Sequence, residues 1–465
     1  MKAAVALVRS KAVALVLGLI AIIIVLLPFH AFLTVWAASN FGHYTLFRLW
    51  KEFLVAFCGL VVIGWFFTDT NVRRGIFKTK LAWLIIAYAA LDLLLALIDY
   101  QAHKVSLKAV AYGVLDDLRF LAFFIICWAA GIKSHALNRR WEKLILWPAA
   151  VVVAFGLLQM SVLPANVLSH FGYGPHTIMP FQTINNNPHY IRILSTLRGS
   201  DPLGAYLILP IAVLAVLLIS YPKSWNWLKA LFLIGAAAVL YGSYSRGAWI
   251  GAVLAVVLVA IIGVNKQILA KYKTLLTVVG VVILVLVIGA FAALGTSKRF
   301  QNIVFHTQSN SAAPVSSDAA HLSALKTSIK QVLNQPFGDG PGTSGPASVY
   351  NHDAPARITE DYFLEVGEES GWIGLILFVA INVYVGLMLW QRRRSPFALA
   401  LLAAFIGLSF VNLLTLEWTD DTMTYIFWGL AGLCIAVTPE ENQLKRLKAK
   451  KGRLANVALA KGKTS

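Results

Sequence analysis

Arg192, Arg198 and Arg246 are the side chains whose positions most need a chemical reason, because each adjoins a long apolar run where charge is unwelcome. Arg246 lies in Ser243-Tyr-Ser-Arg-Gly-Ala-Trp249, a turn of a few residues between two such runs. A guanidinium at that depth is costly unless it meets an anion or water. Its planar fork matches two phosphate oxygens at once, which makes phosphate the anion to expect. The competing reading has Arg246 snorkelling to the interface or pairing with an acid such as Asp201. Arg357 is a fourth arginine of this kind.

A base able to take a proton from a hydroxyl has few candidates: His321, His352, and the acids Glu360, Asp361 and Glu365. Glu360-Asp361 comes shortly before an apolar run starting near Gly371-Trp-Ile-Gly374. A partly desolvated carboxylate there would have a raised pKa and could serve as general base. The plainer alternative is a helix start, where the dipole favours acids in any case. Gly338-Asp-Gly-Pro-Gly342 lacks the Lys-Ser/Thr of a phosphate loop and reads as a tight bend. No His/Asp/Cys cluster has metal-ligand spacing, and no cofactor is expected. Cys58, Cys127 and Cys434 fall inside apolar runs, as small hydrophobes and not disulfide partners.

A membrane protein has to position these residues. With 58% hydrophobic and 13% charged residues, the chain cannot cover a soluble globule with polar surface. Its apolar residues come in runs of about 17–25, the length that crosses roughly 30 Å of hydrocarbon. They place spans near 13–36, 52–68, 81–98, 110–131, 144–163, 202–220, 227–242, 247–263, 275–295, 371–390, 397–416 and 421–438. The expected fold is therefore all-α and polytopic, with about twelve transmembrane helices. The first run follows Lys2, Arg9 and Lys11 and ends in a small-residue stretch, Ala37-Ala38-Ser39, but is long for a signal peptide and reads as an uncleaved span.

The net charge of +19 is spread between spans and reads as topology, not as a nucleic-acid surface. With both termini inside, about 27 of the 40 basic residues fall on inner segments, among them Arg73, Arg74, Arg139, Arg140 and Arg392 to Arg394. Two outer segments are long. The chain thus divides into helices 1–5 over 1–163, a first long extracytoplasmic loop 164–201, helices 6–9 over 202–295, a second long loop 296–370, helices 10–12 over 371–438, and a basic cytoplasmic tail 439–465. The first loop, with Thr183-Ile-Asn-Asn-Asn-Pro-His-Tyr190, reads as ordered turns, and His321 to Leu333 as an amphipathic helix on the membrane face. The tail is either a helix on anionic lipid or solvated. Asp116-Asp117-Leu-Arg119 and Asp92 read as intramembrane ion pairs, and Glu417, Asp420 and Asp421 as solvated acids of a short loop.

Three stretches resemble the O-antigen ligase and polymerase family of membrane glycosyltransferases. Arg192 to Tyr206 is similar to the family's arginine followed by a span. Ser245-Arg246-Gly247 matches its Ser-Arg-Gly turn. Pro336-Phe-Gly-Asp-Gly-Pro-Gly342 is similar to Pro-x-x-Gly-x-Gly, and nine residues, Tyr362 to Ser370, precede Gly371-Trp-Ile-Gly374 as in the family's His-Asn, nine residues, Gly-x-x-Gly motif. The His-Asn pair itself is replaced by Glu360-Asp361.

The resemblance implies a GT-C-like fold in a bacterial inner membrane. It implies metal-independent transfer of a glycan from an undecaprenyl-diphosphate donor to an acceptor hydroxyl of a glycan, lipid or protein. Arg192, Arg246 and Arg198 would hold the diphosphate, and Glu360 or Asp361 would be the base. A transporter or lipid-linked glycan flippase is the alternative; it would need a charged path, and beyond Asp92, Asp116, Asp117 and Arg119 the spans carry almost no charge.

Overall fold

The computed structural model describes residues 2–221, 226–263, 297, 317–352 and 354–437. Helices dominate, as they must where hydrocarbon leaves each backbone to satisfy its own polar groups. Helix α1 (Lys2–Leu26) passes through one tight turn into α2 (His30–Phe41), followed by α3 (Tyr44–Arg48), α4 (Trp50–Thr68), α5 (Thr70–Phe77), α6 (Lys80–Gln101), α7 (Leu107–Lys133) and α8 (Trp141–Ser161). A hairpin of β1 (Gln182–Ile184) and β2 (Asn187–Arg192) precedes α9 (Ser200–Ser220), α10 (Asn226–Gly242) and α11 (Arg246–Gly263). Then come α12 (Ser317–Asn334), α13 (Tyr362–Gln391), α14 (Pro396–Val411) and α15 (Asp421–Ile435).

Among the described residues, seven helical stretches are long and apolar enough to cross a membrane: Ser10–Phe41, α4, α6, α8, α9, α11 and α13. The other expected spans meet shorter or more charged helices. Positions 227–242 and 397–416 correspond to α10 and α14, with 17 and 16 residues, and 421–438 to the 15-residue α15. Positions 110–131 fall in α7, which carries Asp116, Asp117 and Arg119. The expected span 275–295 and the tail 439–465 lie outside the described residues.

The bundle is built around α9, whose apolar window is 83% buried. A helix apolar all round belongs at such a centre. Neighbouring helices close in where small residues meet. A Cβ on Gly251 of α11 would come within 2.7 Å of Gly407 O, and one on Gly407 of α14 within 2.4 Å of Gly251 O. At one end of the bundle, buried Arg392 donates to Val437 O (2.8 Å) and Ile435 O (2.9 Å), capping the last carbonyls of α15.

The opposite end carries the residues singled out above. The first long loop is ordered, as expected: Asn185 and Asn186 adopt φ 49° and 56°, the left-handed pair that a two-residue hairpin turn requires. The start of α13 differs from the expected boundary. The helix begins at Tyr362, not near Gly371, and Gly371 interrupts it with φ 65°.

Candidate functional site

The turn between α10 and α11 is pinned from below. Ser243 is buried, donates through Oγ to Leu240 O (2.7 Å), and accepts from Ser245 N (3.2 Å). Trp249 Nε1 bonds Leu240 O (2.9 Å), and its ring stacks on Tyr241 at 5.5 Å. Tyr244 takes φ 51°, a strained value for an aromatic residue. Arg246 follows as the first residue of α11, partly buried.

Arg192, the last residue of β2, reaches the same turn: its Nε donates to Ser243 O at 2.9 Å and its Nη2 to Asp201 Oδ1 at 2.7 Å. Asp201, named above as a partner for Arg246, is thus held by Arg192. A cavity of about 290 Å³ opens beside Arg192, walled by Met160, Pro180, Phe181, Tyr241 and Tyr244.

From α12, His321 Nδ1 lies 3.0 Å from Glu360 Oε2, with both side chains about two-fifths exposed. The Glu360 hydrogen bond raises the His321 pKa above the usual imidazole value; burial and the charge of Arg246 oppose this, and Asp201 assists. His321, Glu360, Arg246, Asp201 and Arg192 therefore form one electrostatic cluster.

Asp361 stands apart from it. It is buried and caps α13 by accepting from Leu364 N at 3.0 Å. Burial raises its pKa, while the backbone bonds act in the opposite direction. Its geometry is the plainer helix-start reading, and its carboxylate is committed to the helix. Of the other candidate bases, Glu365 is buried inside the protein and His352 is exposed. Arg357 pairs with Asp339 at 3.0 Å.

Arg198 is exposed, and it acts on Glu417 and Asp420. Burial pushes the pKa values of Glu417 and Asp420 up, and the charge of Arg198 opposes the rise. The acids read as solvated are in fact buried, Glu417, Asp420 and Asp421 at 5%, 6% and 7% exposure. Asp420 caps α15 through Thr422 N (2.9 Å). Asp421 pairs with Lys51 (3.0 Å), with Arg119, and with His30 Nε2 (3.4 Å). Arg119 also holds Asp116 (3.0 Å) and Thr419 O (2.7 Å), while Lys51 holds Glu52 (2.8 Å).

Sequence reasoning missed Lys51, Glu52 and His30, and missed Arg48, whose guanidinium lies 5.9 Å from the Tyr112 ring centroid. The signal was present: Arg48 and Lys51 fall on the first segment assigned to the outside, where basic residues are not required for topology.

The glycine-rich stretch does bend tightly, with φ 75°, 88° and 86° at Gly338, Gly340 and Gly342. It docks on the interrupted turn of α13. Asp339 N donates to Glu368 O (2.8 Å), Gly340 N to Glu369 O (2.9 Å), and Trp372 N to Pro336 O (2.9 Å). A Cβ at Gly338 would meet Glu369 O at 2.3 Å, so no other residue fits.

Residues 230–379 match a family model described as O-antigen ligase. That stretch contains the Ser243–Arg246 turn, His321, the glycine bend, Glu360 and Gly371; Arg192 and Arg198 precede it. The match supports assignment to the O-antigen ligase and polymerase family. Nothing among curated proteins matches the chain.

Proposed function

Taking the chain as a bacterial membrane protein of the O-antigen ligase and polymerase family, we propose that it transfers a glycan from undecaprenyl diphosphate to an acceptor hydroxyl at the outer face of the cytoplasmic membrane. The observation that carries this reading is the convergence of Arg192 and Arg246 on one short turn, with the His321–Glu360 pair in electrostatic reach. Two guanidinium groups suit a diphosphate, which gains charge as it leaves. Arg198, whose charge acts on Glu417 and Asp420, is the third cation that this reading assigns to the diphosphate.

Glu360 fixes the imidazole by accepting from Nδ1–H, which leaves Nε2 as the atom able to take a proton. In this mechanism the acceptor O–H gives its proton to His321 Nε2, and the oxygen attacks the anomeric carbon from the face opposite the diphosphate. The bond from that carbon to the diphosphate oxygen breaks with its electron pair on the oxygen, inverting the centre. Glu360, expected to be the base itself, serves in this scheme as the positioning residue that orients His321, and Asp361 is left to the helix. The sequence carries no histidine at the family's motif position, and α12 supplies one across the loop. No cofactor enters the scheme.

Purified protein reconstituted with lipid-linked glycan and candidate acceptors should release undecaprenyl diphosphate. Vectorial movement of intact donor without cleavage would replace the enzyme with the transporter reading.

The base is testable by pH. Glu360 raises the His321 pKa, so Glu360→Gln should move the acid limb of the rate profile to lower pH, since neutral imidazole then persists to lower pH. The maximal rate should fall roughly tenfold to a hundredfold through lost orientation. A profile whose acid limb stays in place would remove His321 from the mechanism.

A further inference from the structure

The cavity beside Arg192 has a lining that a diphosphate does not account for. It is bounded by the C-terminal ends of α8 and α10 and by the first long loop, and it encloses about 290 Å³. That volume sits at the lower bound of the roughly 300–1,000 Å³ of small-molecule sites, room for one ring and not for a chain of them. Among the described residues, Arg192 is the one charged group in its wall. A pocket for phosphate alone would gather more cations or amide donors, and a pocket for a hydrocarbon chain would exclude a guanidinium. This wall instead presents three aromatic rings, Phe181, Tyr241 and Tyr244, together with the Gln159 amide and Arg192. A sugar has the matching surfaces: a C–H face for the rings and a rim of hydroxyls for a few placed polar groups.

These groups are held in place without a ligand. Tyr241 is stacked on Trp249, with 5.5 Å between ring centres and 16° between planes, and Trp249 Nε1 is anchored to Leu240 O. Gln159 Oε1 accepts from Ser195 N at 2.7 Å, which orients the amide and leaves its NH₂ end as a donor. Ser195 is itself buried, with Oγ donating to Val152 O at 2.7 Å. Arg192 uses Nε for Ser243 O and Nη2 for Asp201, so Nη1 is uncommitted among the described residues. The backbones of Ser195 and Tyr244 take φ 50° and 51°, and strain of this kind persists where the surroundings over-determine a conformation.

We propose that this cavity is the subsite for the donor's first sugar, the unit joined directly to the diphosphate. One glycosidic oxygen separates that sugar from a phosphate held by Arg192, so its ring lies in the space next to the guanidinium. Gln159 Nε2 and Arg192 Nη1 donate to its hydroxyls, and the aromatic rings pack on its C–H surface. Gln159 and Tyr241 thereby help to set which sugar is accepted, since a hydroxyl of the wrong configuration leaves a buried donor unpaired. The inference rests on the diphosphate reading of Arg192.

Lipid binding tests it, on full-length protein in nanodiscs. Bare undecaprenyl diphosphate is compared with the same lipid bearing a single glucose, galactose, N-acetylglucosamine or N-acetylgalactosamine. The wild type should bind at least one of the four roughly tenfold more tightly than the bare lipid, the worth of one or two hydrogen bonds. Ala165→Trp puts an indole into the cavity from its loop wall and removes no contact of Arg192. It should abolish the preference while affinity for the bare lipid holds. Tyr241→Leu should shrink the preference, and Ala165→Trp serves alone if that variant does not fold. Equal wild-type affinity for the bare lipid and all four glycolipids, or a preference that survives Ala165→Trp, overturns the sugar subsite and leaves the diphosphate reading standing. Weaker binding of bare and sugar-bearing lipid alike in Ala165→Trp also overturns it, by putting the polyprenyl chain in the cavity. A wild type that binds none of these lipids overturns the subsite and the diphosphate reading together.

Discussion

Arg246→Ala should lower the rate of undecaprenyl diphosphate release by roughly tenfold to a thousandfold, the usual cost of losing one donor that stabilises developing negative charge. The fold should not suffer in proportion. Arg246 opens α11, and a cation at a helix N-terminus opposes the dipole, so its removal costs the helix little. Arg192→Ala should reduce turnover by a similar factor, with a difference that can be measured. Arg192 also ties β2 to Ser243 and Asp201, so its loss should loosen the hairpin and raise KM as well as lower kcat. Arg246→Lys should recover only part of the rate, since an ammonium cannot span two phosphate oxygens. Wild-type initial rates in both alanine variants, measured in the reconstituted assay, would end the diphosphate assignment.

Arg119→Leu should produce the largest loss of stability in the chain. Its guanidinium joins Asp116 and Asp421, both on helices that meet at the site end, and it accounts for Thr419 O as well. Removing one partner of a buried ion pair leaves the others desolvated and unpaired, at about 3–5 kcal/mol. Lys51 and His30 still face Asp421 and keep the loss toward the lower figure. Thermal unfolding in detergent, followed by tryptophan fluorescence, should register a large fall in midpoint. Arg119→Leu combined with Asp116→Leu should be milder than the sum of the two changes, because the double variant removes one stranded charge. Strict additivity would show that the two side chains act separately.

What the sequence revealed and what it hid follow from the range of the interactions. Apolar runs are local, so helices over 52–68, 81–98 and 202–220 could be drawn by eye, and they appear as α4, α6 and α9. Glycine bends are local too, and Gly338 to Gly342 behaves as read. Arg246 stood out because charge beside hydrocarbon is expensive whatever surrounds it, and Arg192 because outer segments need no basic residues for topology.

The pairing of His321 with Glu360 could not be seen, since it joins a helix to a loop and depends on how the intervening chain folds back. The same holds for Asp421, which looked like a solvated loop acid until Lys51 and Arg119, hundreds of residues away in the chain, arrived at its carboxylate. Asp361 shows the opposite limit. Its local role as a helix cap was readable, and it was outweighed by the attraction of an acid in a motif position.

Gly371 has a meaning that residue-by-residue comparison conceals. By breaking α13, it releases the carbonyls of Glu368 and Glu369 from their own helix and offers them to the amides of Asp339 and Gly340. The join is a short backbone seam between a helix and a loop, which the Glu369 carboxylate reinforces by accepting from Gly342 N and Ser344 N. A side chain at Gly338 or at Gly371 would press on the backbone of the opposite segment, so this splice needs glycine on both sides, whatever chemistry its flanking residues perform.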